Sequence, residues 1–211
     1  MGLTVVGVAQ PVIYDATADF TPDLPNPNGV WAYGHTTDLG TALTSFASYS
    51  SDATAFGWST NLSLGTPSVF KLTGPFVGGT SPGDLILHPG PAGEYAVIAF
   101  TAPAAGQYAL NARFFVGDIG GTDATIILNG NTVSPVAYFP DTGVNPMITG
   151  SLTLAQGDQV RFAVGAPGSF LFGSTPLTVT LTYSPVPEPS ASALLLGLSG
   201  IAVALLRRRC S

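Results

Sequence analysis

The sequence predicts an all-β protein, an antiparallel two-sheet sandwich, followed by one C-terminal transmembrane helix. Three observations carry that expectation. Apolar and polar residues alternate with period two through the middle of the chain, as they do in strands with one buried face. Gly and Pro, 26 and 18 of 211 residues, fall between those stretches, and 45% of residues are hydrophobic against 9% charged. That balance suits a turn-rich β domain and is too apolar for disorder. Finally, a run that opens at Ala191 and closes at Leu206 carries no charge and is followed at once by Arg207, Arg208 and Arg209.

Residues 1–9 read as the remnant of a signal peptide, because residues 3–8 are largely apolar and Gly7-Val8-Ala9 supplies the small residues a signal peptidase favours. A basic segment ahead of them is missing, and the alternative is an ordinary first strand. Residues 10–185 form one domain, long enough to bury a core without disulfides or a structural metal. Within it, residues 30–34 as a strand set Trp31 and Tyr33 on one face. Residues 95–101 are apolar on both faces, the pattern of a central strand. Tyr108, Leu110, Ala112 and Phe114 alternate with Ala109, Asn111, Arg113 and Phe115. Residues 124–128 and 131–136 flank Asn129-Gly130, a pair that supplies the positive φ angles of a tight hairpin turn. Val160, Phe162 and Val164 form another alternating set, and Leu177, Val179, Leu181 and Tyr183 the last. Residues 103–106 and 155–158 mark reversals. Nothing before Ser190 shows sustained helical spacing. Short strands in this number, with Gly and Pro between them, predict a sandwich of the jelly-roll kind.

The tail fixes the topology. Residues 191–206 as a helix span about 24 Å, short of the ~30 Å hydrocarbon core, and Ser190 with the snorkelling arginine stems supplies the rest. A buried core helix would show a polar face, and this run shows none. The arginines hold their end in the cytoplasm, so the preceding domain faces the other side. Val186, Pro187, Glu188 and Pro189, then the apolar run, then the arginine cluster, together resemble the PEP-CTERM sorting signal of Gram-negative bacteria. The resemblance implies export, anchoring in the inner membrane with the domain outside, and processing at Pro-Glu-Pro by an exosortase-type sorting enzyme. The destination implied is the cell surface or extracellular matrix. Pro187 and Pro189 fit that role, since neither continues a helix nor joins a sheet interior.

The domain carries a second resemblance. The 26–34 stretch Asn-Pro-Asn-Gly-Val-Trp-Ala-Tyr-Gly, His88-Pro89-Gly90, the 100–108 stretch and the 154–158 turn look like a recurrent ectodomain of bacterial surface proteins. That ectodomain is jelly-roll-like and similar to non-catalytic carbohydrate-binding modules. Relatives often place Asp or Asn before the last strand, where this chain has Phe172-Gly173-Ser174-Thr175, a departure that counts against a metal site there.

Charge and residue inventory narrow the function. Residues 10–185 hold three bases, Lys71, Arg113 and Arg161, against eleven acids, so nucleic acid is excluded as a partner. The one cysteine, Cys210, lies beyond the arginines, outside any disulfide chemistry of the exported part. Two imidazoles, His35 and His88, exclude a His-rich zinc site, and no Gly-x-Ser-x-Gly elbow is present. His88 in His-Pro-Gly reads as a turn residue. The aspartates fall mostly in turn contexts, which turn chemistry explains without a glycosidase pair. Residues 118–123 are a weak calcium candidate through Asp118 and Asp123, departing from the EF-hand pattern; no other cofactor is expected. Aromatic rings are the better lead, because polysaccharides stack their apolar faces on them. Trp58, in a Ser/Thr-rich segment, is the first candidate sugar-binding residue, with Trp31, Tyr33 and His35 beside it; core burial is the competing reading for both tryptophans. The expectation is a surface or matrix protein, not an enzyme, structural or adhesive, with weak polysaccharide binding. The alternatives are a surface hydrolase using His88 or His35 with an Asp, and a scaffold without a ligand.

Overall fold

The structure, a computed structural model, describes residues 10–23, 25–60, 65–76, 79–139, 145 and 147–184, with the backbone alone for 132–139. Residues 1–9 and 185–211 lie outside the described residues. The signal-peptide remnant, the sorting motif Val186 to Pro189, the anchor and the arginine cluster therefore receive no structural account. Among the described residues no helix is long and apolar enough to cross a membrane.

In chain order the elements are β1 (Val12–Asp15), α1 (Ala16–Asp19), β2 (Trp31–Thr36), β3 (Thr44–Ser45), β4 (Ser48–Ser51), β5 (Ala55–Ser59), β6 (Ser68–Leu72), β7 (Leu85–His88), β8 (Tyr95–Thr101), β9 (Gly106–Phe114), β10 (Thr122–Leu128), β11 (Asn131–Phe139), β12 (Met147–Leu154), β13 (Gln159–Gly165) and β14 (Thr175–Ser184). They form two antiparallel sheets. The larger runs β12-β9-β14-β7-β6-β5-β4 with β1 also on β14, and the smaller runs β11-β10-β13-β8-β2-β3. Their inner faces share one hydrophobic core, to which the larger sheet contributes Val69, Leu87, Tyr108 and Val179 and the smaller Trp31, Ile98, Phe100 and Phe162. This is the sandwich that the alternating pattern predicts.

The alternation is complete in β9, whereas in β13 Ala163, on the polar side of the pattern, is buried as well. In β9 every second residue from Tyr108 to Phe114 is buried and those between are exposed. β8 is buried on both faces, as a central strand should be. Ala96, Ile98 and Phe100 enter the main core, while Val97 packs on the far side with Ile127 and Ala163 beneath Leu39 and Leu43. Asn129 and Gly130 take φ of 48° and 80° between β10 and β11, the hairpin geometry expected of Asn-Gly. The expectation of no helix before Ser190 is corrected at α1. A single turn is too short to show periodicity, but it has its own signal: Asp15 Oδ1 accepts from the N–H of Thr17 at 2.9 Å and of Ala18 at 3.1 Å as an N-cap. Lys71 closes the other end, its Nζ donating to the carbonyls of Thr17 at 2.6 Å and Phe20 at 3.3 Å.

The pairing of β14 divides the larger sheet into two sections. Leu177 to Ser184 pair with β9, but Thr175 and Pro176 alone pair with β7. The β4 to β7 section thus joins the larger sheet through two residues and carries its own outer face, with its own small apolar cluster of Ala55, Phe70, Leu72 and Ile86.

Candidate functional site

Period-two geometry in β6 sends Val69 and Lys71 inward and Ser68, Phe70 and Leu72 outward. On the outward face a cavity of about 270 Å³ is lined by Asp52, Thr54, Ala55, Thr66, Ser68, Phe70, Phe76 and His88. Phe76 returns from the β6–β7 connection and stands edge-on to Phe70, ring centres 5.6 Å apart at 74°. It remains 49% exposed. Gly57, paired with Phe70 across β5 and β6, lets the strands approach: a Cβ there would collide with the Val69 carbonyl oxygen and with Phe70.

The polar groups differ in how far their bonding is committed. Asp52 turns the chain between β4 and β5. Its Oδ1 accepts from the Thr54 N–H at 2.7 Å, the Thr54 hydroxyl at 2.8 Å and the Ala55 N–H at 2.9 Å, and these bonds, the Thr54 N–H first, hold its carboxyl below the usual range. His88 Nδ1 lies 2.9 Å from the Pro89 carbonyl oxygen. A carbonyl only accepts, so Nδ1 carries the proton and Nε2 is left as an acceptor while the ring is neutral. Burial favours that neutral form, pushing the imidazole below its ordinary value against the opposing pull of the Pro89 carbonyl and Asp118. Ser68, paired with His88 in register, is fully buried, and its Oγ has no hydrogen-bond partner among the described residues. Buried hydroxyls are ordinarily partnered. The wall thus combines two aromatic rings with an uncommitted hydroxyl, a neutral imidazole and an anchored carboxylate.

No family model matches the chain, and no curated protein matches it. Among solved structures, a family 35 carbohydrate binding module from Clostridium thermocellum is similar at 19% identity over 82% of this chain and 98% of that one, TM-score 0.35. A GH26-CBM35 β-(1,4)-mannanase of Podospora anserina is similar at 15% identity over 85% of this chain and 29% of that one, TM-score 0.34. A CBM35 from Cellvibrio japonicus shares 19% identity over 53% of this chain and 83% of that one, TM-score 0.30. Likenesses this distant transfer neither ligand nor activity to this chain.

The sequence-predicted residues are dispersed. Trp31 and Tyr33 do share a face, but it is the inner one: they are 1% and 2% exposed. Trp31 Nε1 donates to Asp19 Oδ2 at 2.9 Å, and Tyr33 meets Phe20 edge-on at 4.8 Å. This corrects their assignment as sugar-binding residues, since a ring sealed between two sheets offers no face to a polymer. Trp58 also points inward but sits one strand from the sheet edge. It is half-buried, packs against the main core and meets Tyr49 edge-on at 5.4 Å. Its expected polar ring is only partly described: Ser59 is buried, Thr60 is exposed, and Asn61 and Ser63 lie outside the described residues. His35 stacks on Phe46, ring centres 5.4 Å apart at 22°, which covers one face of its ring.

For the hydrolase alternative, Nδ1 of His88 meets the Pro89 carbonyl, where a triad would place a carboxylate. Of the calcium candidates, Asp123 lies in β10 and accepts from the Tyr95 hydroxyl at 3.3 Å, while Asp118 Oδ1 accepts from the Ile119 N–H at 2.8 Å. Among the described residues no group of three or more His, Cys, Asp or Glu could hold a metal. What sequence reasoning missed is Ser68, Phe70, Phe76, Thr66 and Asp52 as one cavity wall. The available signal was β6 itself, where Ser68 precedes Phe70 on one face.

Proposed function

We propose that this protein is an exported, non-catalytic surface or matrix protein that binds a neutral saccharide in the outer-face cavity. The observation that carries the reading is Ser68, a fully buried hydroxyl without a described partner, on the wall of an open cavity beside Phe70 and Phe76. A sugar ring offers an apolar face to such rings and a rim of hydroxyls to such donors and acceptors. The volume suits one sugar unit of a longer polymer. The sandwich is read as jelly-roll-like. Export and anchoring rest on residues 186–209, through the sorting motif Val186, Pro187, Glu188 and Pro189 and the span from Ala191 to Leu206 closed by Arg207, Arg208 and Arg209; the partners implied are an exosortase-type enzyme and the membrane.

The test is affinity electrophoresis of the full chain across a panel of neutral and acidic polysaccharides, with melting measured in parallel. Ser68→Ala removes a buried hydroxyl whose desolvation is uncompensated, so the thermal midpoint should hold or rise, by up to about 1 kcal/mol of stability. Retention on the bound polymer should fall. Phe76→Ala, at a largely exposed ring, should likewise weaken retention with little change in melting. Equal retention by wild type and both variants would take the site away from this cavity. Wild type retained by no polymer would leave the ligand-free scaffold.

A further inference from the structure

Among the described residues the two sheets expose five edge strands, and four are guarded. β1, paired with β14 alone, is four residues long and ends in Asp15. β3 is two residues long and β4 four. β11 contains Pro135, and its pairing with β10 breaks register twice. These are the ways natural sheets prevent pairing with other chains. β12 has none of them. Among the described residues it pairs on one side only, with β9, in eight consecutive residues without a register shift. Its sequence, Met147-Ile-Thr-Gly-Ser-Leu-Thr-Leu154, contains no proline and no charge, in a chain whose formal charge is −6.

Its faces are equally informative. Ser151 and Thr153 point outward, their hydroxyls bonded to the Gln107 amide at 2.9 and 2.7 Å, so Ile148, Gly150 and Leu152 point inward. Ile148 and Leu152 are half-buried against the core. They line an apolar slot of about 240 Å³ with Leu110, Ile126, Leu128 and Val160. At the strand's centre, a Cβ on Gly150 would find nothing within 4 Å. The middle of the edge is thus open on its inner face.

We propose that β12 pairs antiparallel with β12 of a second copy of this chain, extending the larger sheet across a two-fold axis through Gly150. In that register Ile148 faces the partner's Leu152, and Thr149 faces the partner's Ser151. Apolar residues meet on the inner face, hydroxyls meet on the outer face, and no like charges oppose. A one-residue slip would set inner residues against outer ones, so the register is specified. The occupant is a second copy because the edge is uncharged and self-complementary, so two acidic molecules meet there with no like charges opposed.

Full-length protein in mild detergent, with Cys210→Ser to remove the native thiol, should show concentration-dependent dimers by light scattering. Directly opposed residues have Cα atoms about 4.5–5.5 Å apart, within disulfide reach. Gly150→Cys should therefore form a covalent dimer under oxidised glutathione, whereas Gly168→Cys, also in open space, should not. Thr149→Lys sets charges beside the axis and should weaken association roughly tenfold or more, with melting unchanged. A monomeric wild type, equal cross-linking at both cysteines, or dimers that persist in Thr149→Lys, as association through the anchor alone would give, each overturns the proposal.

Discussion

At His88 burial and hydrogen bonding oppose each other, and burial wins: the folded imidazole holds its proton less tightly than the ordinary value of 6.5. Above that value neither folded nor unfolded chain is protonated there, and the neutral ring costs nothing. As pH falls below it, the unfolded chain takes up a proton that the native site resists, so stability is lost progressively toward the folded value. Thermal midpoints at pH 7.5 and 5.5 should thus differ more for wild type than for His88→Gln, which keeps an amide in place of the ring and cannot titrate. An equal difference in both would mean that the pH dependence originates elsewhere. Trp58 makes a contrasting case at the same scale. Its hydroxyl-rich sequence neighbours suggested a surface platform, but the side chain turns inward toward Tyr49 and the core.

At the scale of elements, β5 and β6 lie close because Gly57 has no side chain. Any Cβ at that position would meet the Val69 carbonyl oxygen and Phe70 directly, and backbone cannot move aside as the end of a flexible side chain can. Gly57→Ala should therefore push β5 from β6, at a cost of roughly 1–3 kcal/mol or more, and disturb the floor on which Phe70 stands. Denaturant unfolding measures the first effect, and saccharide retention under native conditions measures the second. A stability within a few tenths of wild type would show that the strands can separate freely. Gly150 sits in a strand of the same sheet with open space around it, so a substitution there should leave the monomer's melting unchanged. The difference between the two glycines lies in what packs above them.

At the scale of the whole molecule, the described strands of the two sheets share one core. Deleting residues 191–209 should therefore release a soluble protein with β-type circular dichroism, while the full chain fractionates with membranes. Aggregation and loss of the β signal in the truncated chain would make the tail part of the core. The sandwich was legible in the sequence because strand alternation is a local pattern: β9 buries the residues its period marks, β14 buries Leu177, Val179 and Leu181 and leaves Tyr183 half-buried, and Asn129-Gly130 turns as its φ preference requires.

The site was not legible in the same way. Asp52, Ser68, Phe76 and His88 come from four separate stretches, and only the register of β5, β6 and β7 brings them to one wall. The sequence by itself determined which residues alternate, where the chain turns, and the charge-free run of residues 191–206. Each of these depends on neighbours within a few positions. Tertiary structure alone decided that Trp31 and Tyr33 face inward, that Ser68 is buried on a cavity wall without a described partner, and that β12 is an unguarded edge of the described sheet. Which face of a strand meets the core, and which edge meets nothing, depends on pairings between residues far apart in the chain, and no local pattern records them.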